Sequence, residues 1–192
     1  MMSLGIDVGS LYLKGVLLGE GEEVKSHFYR LHHGNPLGVV EQLVSELNLS
    51  SSVHVGFTGM LGRNIASQLG AQAVDFVKAE IIAVKRVYPF VRNIINVGGG
   101  SVTLIHLDED GKFRNYFTNS LCAAGTGAFL DEQARRLGIC MEDLVEFPEV
   151  EDAPTIATRC AVFAKSDLIH RQQQGYSKEA MWEGLCQGMT ST

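Results

Sequence analysis

LGIDVGSLYLKGVLLGEGEEVKSHFYR (residues 4–30) and NIINVGGGSVTLIHLDEDGKFRNYFTN (residues 93–119) are the two stretches whose reading sets the fold. The first reads as an apolar strand ending at Val8, a glycine turn, a second strand over residues 13–18, a turn at 19–21 and a third strand near 24–29. The second repeats these events in order: apolar strand, glycine turn, apolar strand, Asp-Gly turn, third strand, then a helix starting near Gly127. Ile6 corresponds to Ile95, an offset of 89 residues (95 − 6), so Asp7 corresponds to Asn96 and Gly9 to Gly98. Strand triplets that alternate with helices give an α/β fold built from a duplicated βββαβα unit. The lobes are expected over residues 1–90 and 91–192, one glycine turn in each, the second lobe incomplete. No low-complexity linker separates them.

Outside the repeats, helices are expected over residues 36–47, with Pro36 in the first turn, and over 60–69 and 79–88. A strand is expected over 52–59. The last part reads as a short strand near 155–163, a helix from Ser166, and a helix from Ser177, with Ser177 as N-cap and Ala180 reinforcing the start. The final helix runs into QGMTST with no Gly or Pro stop, which suggests a fragment of something longer.

The chain has 192 residues, 45% hydrophobic and 20% charged, enough to bury a core and too apolar for a disordered segment. A formal net charge of −6 argues against a nucleic-acid binder, which shows a basic face. MMSLGIDVGS carries no signal-peptide pattern, and no apolar run approaches the ~18 residues a membrane helix needs. A cytoplasmic protein is expected, without membrane or nucleic-acid partners. Its four cysteines (Cys122, Cys140, Cys160, Cys186) are not expected to form structural disulfides there, and their spacing matches no CxxC pattern.

A hairpin carrying Asp-x-Gly-Ser just past a buried strand suits phosphate. Glycine lets backbone N–H groups approach phosphate oxygens. An aspartate at the strand end can hold hydrated Mg²⁺. Lys14 on the next strand is within reach of a phosphate. Asp7, Gly9, Ser10 and Lys14 form the first candidate loop, with Asp7 the catalytic candidate; Gly98, Gly99, Gly100 and Ser101 form the second. Two such hairpins facing each other would clamp a triphosphate. Either alone reads more readily as an ordinary tight turn with an Asp cap; the duplication favours nucleotide binding. Neither GxxxxGK[ST] nor GxGxxG is present.

NSLCAAGTGAFLDEQARRLGI (119–139) places Cys122 just before a helix N-terminus. Core filler, nucleophile and metal ligand are all open readings, and a free cysteine most often packs as a small hydrophobe. The helix itself is well signalled: Thr126 as N-cap, Leu130, Ala134 and Leu137 on one face, Asp131 and Glu132 in the first turn, Arg135 and Arg136 in the last, Gly138 ending it.

GIDVGS (5–10) and INVGGGS (95–101) resemble the actin, Hsp70 and sugar-kinase superfamily of ATPases, which implies an actin-like (ribonuclease H-like) fold. GRN at 62–64, the DEDG turn at 108–111, the CAAGTG block and TRCAVFAKSDLI (158–169) make the chain similar, over essentially its whole length, to the activators of 2-hydroxyacyl-CoA dehydratases. These are BadF/BadG/BcrA/BcrD-type ATPases, including benzoyl-CoA reductase subunits. The resemblance implies a homodimer that binds ATP/ADP with Mg²⁺ and shares one [4Fe-4S] cluster between subunits. Cys122 and Cys160 of each chain would be the ligands. ATP turnover would drive a low-potential electron into a dehydratase or reductase partner. Gly125 and Gly127 would let the loop approach phosphate or cluster, and the helix dipole would favour thiolate. Cys140 and Cys186 match no ligand position and read as packing residues, and the His32-His33 pair reads as solvated.

Three departures from the family pattern stand out. Asn96 replaces the acidic residue of the second loop, and Gly100 and Ser101 stand where Gln and Asp usually follow, which puts hydrolysis in doubt. Lys165 stands where an acidic residue is common and implies a cluster that is easier to reduce. The alternative is a hydrolysis-impaired regulatory or scaffold lobe of a larger fused protein. A small-molecule kinase ranks last, with Asp75 and Asp167 its nearest candidate bases.

Overall fold

The computed structural model describes residues 2–48, 53–119, 126–140, 144, 147, 150–158 and 160–190. Two compact units emerge: Met1–Ile94 with Leu104–Tyr116, and Ile95–Thr103 with Phe117–Thr192.

The first unit is built on β1 (Met2–Val8), β2 (Tyr12–Leu18), β3 (Val24–Leu31), α1 (Pro36–Glu46), β4 (Val53–Thr58), α2 (Gly62–Leu69), β5 (Gln72–Ala73) and α3 (Phe76–Val87). Its sheet has the order β3-β2-β1-β4-β5. β1 pairs antiparallel with β2 and parallel with β4, which the α1 crossover returns to the sheet. Leu4, Ile6 and Val8 alternate onto one face and are buried with Leu13, Leu17 and Phe57 of the sheet and Val40, Leu43, Ile65 and Ala66 of α1 and α2. Each such aliphatic side chain contributes roughly 2 kcal/mol. Phe28 lies across β2 only because position 15 is glycine: a Cβ there would sit 1.9 Å from the ring. The α1 start has Asn35 accepting from the Gly38 N–H at 3.1 Å and Pro36 in the first turn, as the sequence predicts.

β6 (Asn93–Val97), β7 (Val102–Leu107) and β8 (Phe113–Thr118) form a second sheet of that order. The repeat is visible in its hydrogen bonds. The Gly9 N–H donates to the Tyr12 carbonyl at 3.0 Å and the Gly98 N–H to the Ser101 carbonyl at 2.8 Å, each partner shifted by 89 positions (98 − 9, 101 − 12). The DEDG turn closes with Gly111 at φ +74° and the Lys112 N–H on Asp108 Oδ1 at 2.8 Å.

In the second unit α4 (Gly127–Leu137), α5 (Ala161–Gln173) and α6 (Lys178–Thr190) bury Phe129, Ala134, Leu168, Trp182 and Leu185. Gly138 ends α4 in the left-handed conformation, and the Ala180 N–H donates to Ser177 Oγ at 3.1 Å to cap α6.

Four expectations are corrected. No strand forms over the described part of 155–163. That stretch is pinned to α6 without a ladder: Thr158 Oγ1 donates to the Gly188 carbonyl at 2.7 Å, and the Pro154 carbonyl sits where a Cβ on Gly184 would be. α5 therefore starts at Ala161, five residues before Ser166. α3 starts at Phe76 rather than 79 because Asp75 caps it, accepting from the Lys78 N–H at 3.2 Å. With α4 starting at Gly127, Asp131 and Glu132 fall in its second turn. The two-residue β5 had no period to announce it.

Candidate functional site

The first hairpin brings its predicted residues together. Asp7, the last residue but one of β1, lies directly across from Lys14 on β2, and Lys14 Nζ lies 2.8 Å from Asp7 Oδ2. Both side chains are partly exposed, so the pair holds itself with only ~0–1 kcal/mol and is available to an incoming ligand. Gly9 closes the turn with a would-be Cβ 3.1 Å from the Tyr12 carbonyl, and Ser10 sits half-buried beside it.

Three residues that sequence reasoning did not place at this hairpin complete it. His32 is buried, not solvated: only 4% exposed, its ring lies between the Gly34 N–H and the Gly9 carbonyl. The Gly34 N–H donates to Nδ1 at 3.2 Å, which leaves Nε2 carrying the proton and donating to the Gly9 carbonyl at 3.2 Å. Gly59, at φ +89°, follows the β4 residue that pairs with Asp7; a Cβ there would meet Asp7 Oδ1 at 2.2 Å. Glu80, on α3, is half-buried; desolvation first, then the charge of Asp7, push its carboxyl above its ordinary value, and Lys14 opposes them. The signal in the sequence was a lone charge inside the apolar stripe Phe76, Val77, Ile81, Val84.

The second hairpin carries Gly98, Gly99, Gly100 and Ser101. α4 docks on it head first: the Gly127 N–H donates to the Gly98 carbonyl at 2.9 Å and the Ala128 N–H to the Gly99 carbonyl at 3.1 Å. Gly127 therefore serves the close approach of helix to loop, with a would-be Cβ 3.2 Å from the Gly98 carbonyl. Thr126 is the N-cap residue by position and is buried, but its side chain makes no capping bond to α4.

Cys122 and Gly125 lie outside the described residues. Cys160 is the N-cap residue of α5, half-buried and extended (φ −143°, ψ 125°). The adjacent first-turn residues Val162 and Phe163 are 68% and 65% exposed. Lys165, expected to bring an uncompensated positive charge, is paired with Glu132 at 2.6 Å. Cys186 packs against the unit's core as expected, its thiol pushed up by burial and then by Glu183. Cys140 is exposed and is not a packing residue. Among the described residues no group of three or more His, Cys, Asp or Glu is placed to hold a metal ion.

The two candidate kinase bases have structural work instead. Asp75 caps α3, and Asp167 accepts from the Ala157 N–H at 2.8 Å.

Residues 4–192 match the BadF/BadG/BcrA/BcrD ATPase family. The chain belongs to that family. Its relatives include the activator of lactoyl-CoA dehydratase of Anaerotignum propionicum, 31% identical over 96% of this chain and 73% of that protein. The (R)-2-hydroxyglutaryl-CoA dehydratase activating ATPase of Acidaminococcus fermentans is 29% identical over 98% and 74%. Among solved structures, the activator of the 2-hydroxyisocaproyl-CoA dehydratase from Clostridium difficile with bound ADPNP superposes with a TM-score of 0.86 at 28% identity, over all of this chain and 73% of that one. The fold of this BadF/BadG/BcrA/BcrD-type chain is thus the actin-like ATPase fold, as the paired glycine hairpins predict. Among the described residues no helix is long and apolar enough to cross a membrane.

Proposed function

We propose that this chain binds MgATP and, as a homodimer sharing one [4Fe-4S] cluster, delivers a low-potential electron to a 2-hydroxyacyl-CoA dehydratase or benzoyl-CoA reductase-type partner. The observation that carries the reading is the recurrence of one glycine-turn hydrogen bond at an 89-residue offset (98 − 9), in a chain whose relatives are dehydratase activators. Asp7 would take a hydrated Mg²⁺ and release Lys14 to the phosphates, exchanging a weak exposed ion pair for charge-assisted hydrogen bonds. The Gly9 and Ser10 backbone would meet phosphate oxygens.

Cys160 fits a cluster ligand: a half-buried thiol heading a helix, flanked by two exposed apolar residues that a second copy would cover. With Cys122 it would give two thiolates per chain and four per dimer, the number a cubane takes. The cluster supplies one-electron storage, and these two cysteines would hold it.

The test is anaerobic. Reconstituted with iron and sulfide, the chain should hold about four irons per dimer, and Cys122→Ser or Cys160→Ser should lose them and the dimer together. An iron-free monomer from the full protein would sink the cluster reading.

A second reading is favoured by Asn96, Gly100 and Ser101: a lobe that binds nucleotide without turning it over. Asn can accept from a metal-bound water but brings no charge. MgATP binding with no phosphate release, and release appearing in Asn96→Asp, would select it.

A further inference from the structure

We propose that the open face of the first sheet seats an amphipathic helix equivalent to α3, and that this helix is the second repeat's own, carried by the part of the full protein outside these 192 residues. One face of that sheet holds Leu4, Ile6 and Val8 against α1 and α2. The other is uncovered among the described residues: Ser3, Gly5, Val16, Leu18, His54 and Gly56 line an open groove of about 630 Å³. The repeat indicates what belongs there. α3 packs Val77, Ile81 and Val84 over Ile94, Ile105 and Leu107 of the second sheet, which are 8%, 0% and 6% exposed. At the 89-residue offset those three positions are Gly5, Val16 and Leu18 (94 − 89, 105 − 89, 107 − 89), all on the groove. Val16 is 37% exposed. The same sheet surface is covered in one repeat and bare in the other.

Two glycines give an independent reason. Val16, Gly5 and Gly56 stand in one row across β2, β1 and β4. Neither glycine has a positive φ, and a Cβ on either would meet nothing within 4 Å. Glycine inside a strand costs stability and marks a place where another backbone comes close. A helix crossing that row supplies the close backbone, and Gly5 in place of Ile94 leaves room for a larger side chain on it. As for its source, no strand follows α4 among the described residues, so β4, β5 and the helix they deliver have no counterpart in the second repeat. The dehydratase-activator relatives are longer than this chain. Asp7 and Lys14 lie two residues from Gly5 and Val16 on the same strand faces, so the docked helix would abut the candidate phosphate residues.

Thiol reactivity in the full protein, read by mass spectrometry of the labelled peptide, decides it. Val16→Cys should react with a maleimide at least about 100-fold more slowly than Val24→Cys, a β3 position that is 62% exposed. A benzophenone attached at His54→Cys, an exposed position on the groove, should cross-link within one polypeptide, to a peptide beyond residue 192. Gly56→Leu should lower the melting temperature by several degrees, because its side chain would take the place of the helix. Reaction of Val16→Cys within about threefold of Val24→Cys, or a Gly56→Leu protein that melts with wild type, overturns the proposal. Cross-links to a second copy, to another protein, or to nothing beyond residue 192 overturn it as well.

Discussion

A methyl group on position 59 would lie 2.2 Å from Asp7 Oδ1 and 2.6 Å from the Val8 carbonyl, on a backbone at φ +89°. The backbone clash cannot be relieved by a rotamer change, and the conformation itself costs an L-residue about 1–2 kcal/mol. Gly59→Ala is therefore expected to lose about 2 kcal/mol or more of stability, read by urea denaturation, and to move Asp7 away from Lys14. A mutant of wild-type stability would show that the hairpin is not held this way. Glu80 tests the same region with the opposite sign. Its folded carboxyl binds a proton more tightly than the unfolded one, so it favours the fold below the ordinary value of 4.5 and loses that contribution as pH rises through its folded value. Glu80→Gln should melt higher than wild type at pH 7, and the two should converge near pH 4. A gain that persists unchanged in acid would assign the effect to packing. Residues of this kind escape local reading: His32 stands 23 positions from the Gly9 carbonyl it braces, and nothing adjacent to it in sequence announces the contact.

At the scale of elements, caps and glycine stops obey local chemistry. Asn35, Asp75 and Ser177 each accept from an N–H three positions on, and Gly70 and Gly138 each end a helix at φ between +60° and +70°. Ser177→Ala should cost about 1 kcal/mol and Ser177→Asp almost nothing, measured as a shift in denaturation midpoint. Equal losses in both would mean that the α6 start is fixed by its packing. Ser177 was legible because the cap, its acceptor and its donor lie within four residues. The 155–163 stretch was misread for the converse reason. β-Branched residues fit any extended chain, and the absence of a strand partner is a fact about distant segments, not about Thr155 or Ile156. Arg30 illustrates the same limit: it forks onto Glu46 at 3.0 and 2.5 Å, tying β3 to α1 and holding that exposed carboxyl below its ordinary value.

For the whole molecule, binding is stability. A ligand that meets only the folded chain stabilises it by about 2.7 kcal/mol at a hundredfold excess over its dissociation constant. MgATP should accordingly raise the melting temperature of the wild type by several degrees. Lys14→Ala should keep the unliganded fold, since its partly exposed ion pair contributes little, and lose most of that rise. A rise that survives in Lys14→Ala would place the phosphates away from the first hairpin.

What the sequence determined by itself is what repeats or what is local: the strand triplets at an 89-residue offset (98 − 9), the glycine turns, the capped helices, and the placing of Asp7 and Lys14 on successive strands of one tight hairpin. Period, turn chemistry and caps act over a few residues, so they are written in the order of the chain. Only the tertiary structure decided that β4 lies parallel to β1 and sets Gly59 against Asp7, that His32 is buried beneath the first turn, that Lys165 is neutralised by Glu132, and that Glu80 Oε2 is buried without a hydrogen-bond partner among the described residues. Each is a contact between segments far apart in the chain, fixed by burial of the apolar faces around it, and no local pattern names the partner.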